Sequence, residues 1–148
     1  MMPLTLAQAS TIVDAALAEA RRRGFAPLCV VVLDAGGHAL VLKREDRASN
    51  ARPLVATAKA SGCLNMGFGG REIARRALAA PAFYDSLSGL MPQGLLPVPG
   101  GVLIRDGAGN LLGAVGITGD TSDNDELCAL AGIDAARLVA DTGAGPKA

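Results

Sequence analysis

The sequence predicts an α+β domain of three layers, in which an antiparallel sheet lies between two layers of helices. Two segments have a strand–turn–strand pattern around glycine-rich turns, and such hairpins pair antiparallel. Segments at both ends of the chain carry apolar residues at helical spacing. The first strand, 28–33, is apolar at every position, so we expect helices to cover both faces of the sheet.

The chain opens with a predicted helix over 4–23. Thr5 is its expected N-cap, and Gln8 completes a capping box. Three arginines, 21–23, close the last turn, where the helix dipole favours cations, and Gly24 ends the helix. The apolar stripe that we expect to face the core consists of Leu6, Ala9, Val13, Ala16, Leu17 and Ala20.

A first hairpin follows this helix. The strand 28–33 leads into turn residues at 34–37, and 38–43 is predicted to form the returning strand. The polar segment 44–50 is then expected to be a loop.

The middle of the chain is predicted to be helical first and irregular afterwards. A helix rich in small residues is predicted over 53–66 and a shorter one over 71–79, with the glycines of 67–70 between them. Pro81 is expected to stop the second helix. The segment 84–100 holds several prolines and glycines, which predicts an irregular, lid-like stretch.

A second hairpin and a closing helix complete the predicted fold. The strands are expected at 101–105 and 111–118, on either side of a glycine-containing turn. The helix is predicted over 123–141, with Asp123 as N-cap and Glu126 in a capping box. The residues of this helix expected to face the core are Leu127, Leu130, Ala131, Leu138 and Val139.

Length and composition exclude several classes of protein. The 148 residues suit a single domain over 1–148, and a hydrophobic fraction of 50% supplies a core. Lys+Arg and Asp+Glu both number 14, which argues against a basic nucleic-acid-binding surface. Aromatic residues make up 3% with no Trp, so stacking on single strands is not expected either. No apolar run is long enough to predict a membrane span.

The cysteines and the N-terminus indicate a cytoplasmic protein. Cys29, Cys63 and Cys128 are far apart and odd in number, which predicts buried free thiols in a reducing compartment. The first residues lack the basic and apolar regions of a secretory signal. Without a paired-cysteine motif and with His38 as the only histidine, no zinc site is predicted. The crowded carboxylates of Asp120, Asp123, Asp125 and Glu126 leave a hard-cation site as an alternative to helix capping.

Five segments, in order, resemble the GlcG/HbpS family, also called the haem-degrading domain family. They are VVLDAGGH at 31–38, AKA at 58–60, PGGVLI at 99–104, LGAVGITG at 112–119 and the helix start at 123–131. They are similar to that family's VVD-x-GG hairpin, its KA helix, its GG-x-PI strand, its GAIGVSG strand and its D-x-x-C/A-x-AG closing helix. Together these segments extend over most of the chain.

The resemblance implies a profilin-like fold with a five-stranded antiparallel sheet and helices on both faces. It implies homo-oligomers, either dimers, tetramers or octamers. Some members bind haem, and others resemble the C-terminal domain of PduO-type corrinoid proteins, fused to adenosyltransferases. We therefore expect a small-ligand-binding domain whose ligand is haem or a corrinoid. The segment 66–97 is richer in glycine and proline than the family pattern, which predicts a different pocket shape.

A second hypothesis is a small cofactor-independent lyase, isomerase or decarboxylase acting on an organic or aromatic acid. Lys59 lies among small helix residues, where burial would lower its pKa and make it a base or a Schiff-base amine. Asp125 or Glu126 facing Lys59 would complete an acid/base site. The simpler alternatives are a solvated or intersubunit lysine and carboxylates that only cap a helix. A purely structural assembly protein is the third hypothesis.

Arginines and glycines supply candidate anion sites. Arg44, Arg47 and Arg52 flank the loop after the first hairpin, and guanidinium groups bind carboxylates or phosphates through paired hydrogen bonds. An ordinary solvated loop is the alternative, since acidic residues are interleaved. The glycines of 67–70 open a helix, and an anion could bind there.

The aromatic residues and one histidine are the remaining ligand candidates. Phe68, Tyr84 and Phe83 would form a wall for a flat ligand if they cluster, and otherwise they are ordinary core residues. His38 could be an axial haem ligand, although an exposed histidine beside a turn is the simpler interpretation. Met66 or Met91 would bind iron only weakly. The other predicted ligand-binding residues are Gly100, Gly101 and Asp120.

Overall fold

Residues 2–145 are described by the computed structural model, and they form five helices and five strands. The strands make one sheet in the order β2–β1–β4–β3–β5, and every neighbouring pair is antiparallel. The elements are α1 (Leu6–Arg23), β1 (Cys29–Asp34), β2 (Ala39–Arg44), α2 (Arg52–Met66), α3 (Gly70–Ala79), α4 (Pro81–Leu87), β3 (Gly101–Arg105), β4 (Leu111–Thr118), α5 (Ser122–Ala135) and β5 (Val139–Asp141).

Helices cover both faces of the sheet, as the apolar first strand predicts. Alternate side chains of β1 enter different cores. Val30 and Val32 pack with α1 and α5, whereas Cys29, Val31 and Leu33 pack on the opposite side beneath α2 and α3. The predicted α+β fold with three layers is therefore confirmed.

The capping box of the first helix and the turn of the first hairpin are confirmed, whereas Leu6, expected in the core stripe of that helix, is 62% exposed. The Thr5 hydroxyl accepts from the Gln8 backbone N–H at 3.0 Å, and the Gln8 side chain accepts from the Thr5 N–H at 3.0 Å. In the first hairpin, the Asp34 carboxylate accepts from the backbone N–H groups of Gly36 and His38, both at 3.0 Å. An aspartate that bonds the backbone ahead of it stabilises a tight turn, so these turns form locally.

The prediction that the segment 84–100 is irregular is partly wrong, because α4 extends to Leu87. Pro81 occupies the first turn of this helix. A proline there loses no helical hydrogen bond, so the residue expected to stop one helix begins the next.

The predicted bounds of the closing helix are wrong at both ends. Its N-cap is Thr121, whose hydroxyl accepts from the Asn124 N–H at 3.2 Å, and not Asp123. The helix ends at Ala135, and Arg137 adopts a left-handed φ of 59° that turns the chain away. Val139 then belongs to β5, which pairs with β3, and is 48% exposed. Leu127, expected in the core, is 38% exposed.

The backbone of α2 lies directly on the sheet because two paired glycines leave room for it. Gly101 of β3 and Gly116 of β4 are register partners. A Cβ at Gly116 would stand 2.0 Å from the Ala56 carbonyl oxygen, and one at Gly101 would stand 2.5 Å from the Lys59 carbonyl oxygen. Only glycine permits this approach. The close contact between helix and sheet therefore sets the position of the α2 side chains.

All three cysteines are buried free thiols, as predicted. Removal from water raises the pKa of Cys29 and Cys128 to about 11 and that of Cys63 to about 12. Since the thiolate is the reactive form, these thiols act as small core side chains.

We predict that Gly116→Ala destabilises the protein strongly. The new methyl group must push α2 away from the sheet, and overpacking of this kind costs about 1–3 kcal/mol or more. Urea unfolding measures the loss. Gly107→Ala is the matched control, because a Cβ at Gly107 would meet no atom within 4 Å. Equal stability of the two variants would contradict the close packing of α2.

Candidate functional site

The Lys59 side chain crosses the end of the sheet in a buried position. It is 4% exposed, and its Nζ donates to the Ile117 carbonyl oxygen at 2.9 Å. Gly100, with a φ of 110°, lets the chain pass close to it, because a Cβ there would stand 2.8 Å from Nζ. The amine therefore donates a hydrogen bond to a β4 carbonyl group, next to the residue at which β3 begins.

Asp125 is the acidic partner of this lysine. Its Oδ2 accepts from Lys59 Nζ at 3.2 Å, and its Oδ1 accepts from the Asp120 backbone N–H at 3.0 Å. Asp125 belongs to the first turn of α5 and is 1% exposed. Since α2 and α5 lie on opposite faces of the sheet, this ion pair joins the two helical layers around the sheet's end.

Burial shifts the pKa values of the two partners in opposite directions. Desolvation lowers the pKa of Lys59, and the charge of Asp125 opposes this. Desolvation raises the pKa of Asp125, which Lys59 and the Asp120 N–H oppose. A carboxyl and an amine with such shifts can exchange protons. Neither residue lines any of the four main clefts formed by residues 2–145, so no ligand reaches the amine in this conformation.

Glu126, the third predicted catalytic residue, pairs with Arg71 rather than with Lys59. Arg71 Nε and Nη2 donate to the two Glu126 oxygens at 3.1 and 2.9 Å, and Nη2 also donates to Asp123 at 2.8 Å. These carboxylates raise the pKa of the Arg71 guanidinium. Arg71 comes from α3, so no spacing in the sequence could have indicated this pairing.

Asp120 organises the loop between β4 and α5. It accepts from the Ala26 backbone N–H at 2.8 Å, from the Thr121 N–H at 2.9 Å and from the Asn124 amide at 2.7 Å. These hydrogen bonds hold its pKa below the usual value. Its oxygens are therefore already used within the chain.

Arg44 and Arg52 have no acidic partner among residues 2–145. Arg52 Nη1 donates to the Thr118 hydroxyl at 2.6 Å, and Arg44 Nη1 donates to the Asn50 side chain at 3.2 Å. No ion pair within residues 2–145 includes either arginine. Both guanidinium groups are thus available to an anion.

The anion site expected at the glycines of 67–70 is filled by the chain itself. The Arg71 backbone N–H at this helix start donates to the Thr142 carbonyl oxygen at 3.1 Å. A Cβ at Gly69 would stand 2.1 Å from the Thr142 carbonyl carbon. The glycine allows the C-terminal segment to cross here, and this prediction is wrong for that reason.

The aromatic residues do not form one continuous wall. Phe83 and Tyr84 make an edge-on pair with centroids 5.6 Å apart, while the Arg76 guanidinium lies over Phe68 at 4.1 Å. Tyr84 lines a cleft of about 350 Å³ between α3, α4 and the segment 97–99. The residues lining this Tyr84 cleft are Ala74, Ala77, Leu78, Pro81, Tyr84, Asp85, Pro97, Val98 and Pro99.

His38 is exposed at the start of β2, beside the hairpin turn. Residues 2–145 contain no group of three His, Cys, Asp or Glu side chains that could hold a metal ion. Within the same range, no helix has the length and apolar character needed to cross a membrane.

Comparison with known families matches this fold and these motifs. A family model described as haem degrading protein HbpS-like matches residues 4–134. The chain belongs to the HbpS-like family. No sequence among curated proteins matches it.

Solved HbpS-like structures share the fold over nearly the whole chain. PduOC, solved as a haem complex, is 24% identical with a TM-score of 0.83, covering 93% of this chain and 98% of that one. The ORFY protein of Klebsiella pneumoniae is 25% identical with a TM-score of 0.81, covering 93% of each. A double mutant of HbpS from Streptomyces reticuli is 29% identical with a TM-score of 0.78, covering 90% and 87%.

We predict that Lys59→Met destabilises the protein by about 3–5 kcal/mol, because it leaves a buried carboxyl without its partner. The double variant Lys59→Met, Asp125→Leu should regain much of this loss, since two apolar side chains carry no desolvation cost. Chemical denaturation of the single and double variants measures both effects. A single variant as stable as the parent protein would show that the ion pair does not join the layers.

Proposed function

We propose that this HbpS-like chain is a small-ligand-binding domain that binds haem, or a related macrocycle such as a corrinoid, at the Tyr84 cleft. The observation that carries the proposal is an apolar cleft lined by Tyr84, whose hydroxyl makes no hydrogen bond to any residue within 2–145. The family match and the haem complex of PduOC support this ligand class.

The residues of the Tyr84 cleft fit one edge of a flat, apolar ring. Pro97, Val98 and Pro99 line one side, and Leu78, 86% exposed, lies on the rim. A volume of about 350 Å³ is at the lower end of the range for ligand pockets, about 300–1,000 Å³. Part of a macrocycle would therefore remain in solvent, which favours weak and reversible binding.

Tyr84 would be the residue that contacts the iron of a bound haem. Tyr84 is 6% exposed and lines the cleft. Its hydroxyl makes no hydrogen bond to any residue within 2–145 and is not fully enclosed. Tyrosine is a known axial ligand of haem iron. Haem, when bound, would supply redox chemistry at its iron, and the chain would bind the ring and shield one face from water.

We further propose that the protein is a cytoplasmic homo-oligomer, either a dimer, a tetramer or an octamer. Leu54 and Leu90 are 76% and 77% exposed, which supports burial between copies. The three free thiols support a reducing compartment.

Acid/base chemistry on a small organic acid is the second candidate, with Lys59 and Asp125 as the reacting groups and Glu126 beside them. The opposite pKa shifts of Lys59 and Asp125 favour it. It requires an opening motion, because Lys59 is 4% exposed and Asp125 is 1% exposed. Tyr84 lines a cleft, whereas Lys59 and Asp125 line none of the four main clefts formed by residues 2–145, so haem binding is the better-supported function.

We predict that Tyr84→Phe weakens haem binding at least about 10-fold and removes the spectral signature of a phenolate ligand. The variant keeps the ring and loses only the oxygen that would bind the haem iron. Titration with haem, followed by the Soret band, measures both effects. A parallel titration with a cobalamin distinguishes a corrinoid from haem.

His38→Ala is the matched control for this titration, because His38 is exposed and lines none of the four main clefts. Its haem affinity should equal that of the parent protein. If His38→Ala abolishes the Soret shift while Tyr84→Phe retains it, the assignment to the Tyr84 cleft is wrong.

A further inference from the structure

One row of paired residues crosses three strands at the end of the sheet near α2. Cys29 of β1 is the register partner of Arg44 on one side and of Thr118 on the other. Directly opposed residues of neighbouring strands point to the same face. Cys29 packs with Ala56 of α2, so Arg44 and Thr118 also point to the α2 face.

The side chain of Arg52 contacts the same row of residues at Thr118. It is the first residue of α2, and its Nη1 donates to the Thr118 hydroxyl at 2.6 Å. Opposed side chains lie about 5 Å apart, so the β-carbons of Arg44 and Thr118 are separated by about 10 Å. The two arginines therefore stand at opposite ends of one row, within reach of a single small ligand.

The charges around this row are unbalanced. Asp125 forms an ion pair with Lys59. Glu45 forms an ion pair with Arg21 and accepts a hydrogen bond from the Leu28 backbone N–H. No acidic group within residues 2–145 comes within 4.0 Å of the cationic nitrogens of Arg44 or Arg52. Burial is the main cause that lowers the pKa of Lys59, and the positive charge of Arg52 lowers it further. A bound anion would offset this accumulation of positive charge.

We infer that Arg44 and Arg52 form an oxyanion-binding site at the surface beside the buried Cys29–Thr118 pair, for the carboxylate or phosphate group of a small molecule. Guanidinium groups donate paired hydrogen bonds that match both groups. The site shares no residue with the Tyr84 cleft, so it does not depend on haem binding.

Calorimetric titration of the full chain with inorganic phosphate and with succinate, at low and constant ionic strength, tests the inference. The parent protein should bind at least one of the two anions. Arg44→Gln and Arg52→Gln should each weaken that binding at least about 10-fold. Binding of phosphate alone assigns the site to phosphate-bearing ligands, and binding of succinate alone assigns it to carboxylates.

Arg137→Gln is the matched control, because Arg137 is another exposed arginine without an ion pair in the described range. Its affinity should equal that of the parent protein. Arg44 is exposed, and its side chain donates hydrogen bonds only to the loop residues Ala48 and Asn50. Arg44→Gln is therefore expected to fold, and it tests the inference by itself if Arg52→Gln unfolds. Absence of binding in the parent protein, or an equal loss in Arg137→Gln, would overturn the inference.

Discussion

The contact between the backbone of α2 and the glycine pair of the sheet is the constraint on which the other features depend. Gly101 and Gly116 leave no space for a side chain, so the helix rests on the strands themselves. At that distance the Lys59 side chain cannot point to solvent, and it passes along the strand end to Ile117. The buried amine then needs an acid, which α5 supplies as Asp125.

This ion pair explains why the proposed binding sites lie at the periphery. A buried pair adds little net stability, but breaking it is costly because one charge stays unpaired. Lys59 and Asp125 therefore hold the two helical layers together and are closed to ligands. Among the candidate site residues, Tyr84 lines a cleft, and the guanidinium groups of Arg44 and Arg52 have no acidic partner within residues 2–145. A flat apolar ligand suits the first site, and a small anion suits the second.

The HbpS-like fold accommodates both sites because its sheet is covered unevenly. α2 packs on the central strands, while the segment that follows α4 is irregular and leaves an apolar cleft beside α3. At the opposite side of α2, the edge strand β2 is only partly covered, and its last residue, Arg44, is exposed. The proposed haem site therefore lies beside α3 and α4, and the proposed anion site lies where α2 begins, next to the edge strand β2.

The sequence by itself determined those parts of the structure that depend on neighbouring residues. The capping box of Thr5, the aspartate turn at Asp34 and the bounds of β3 and β4 follow from local hydrogen bonds and from alternating apolar positions. Only the tertiary structure decided the partners of groups that are distant along the chain. Asp125 faces Lys59 whereas Glu126 faces Arg71, and a capping pattern cannot distinguish two adjacent carboxylates. The residues of β5 have a helical pattern in the sequence, yet they pair with β3. The partner of this edge strand lies far away along the chain, so the local pattern does not reveal the pairing.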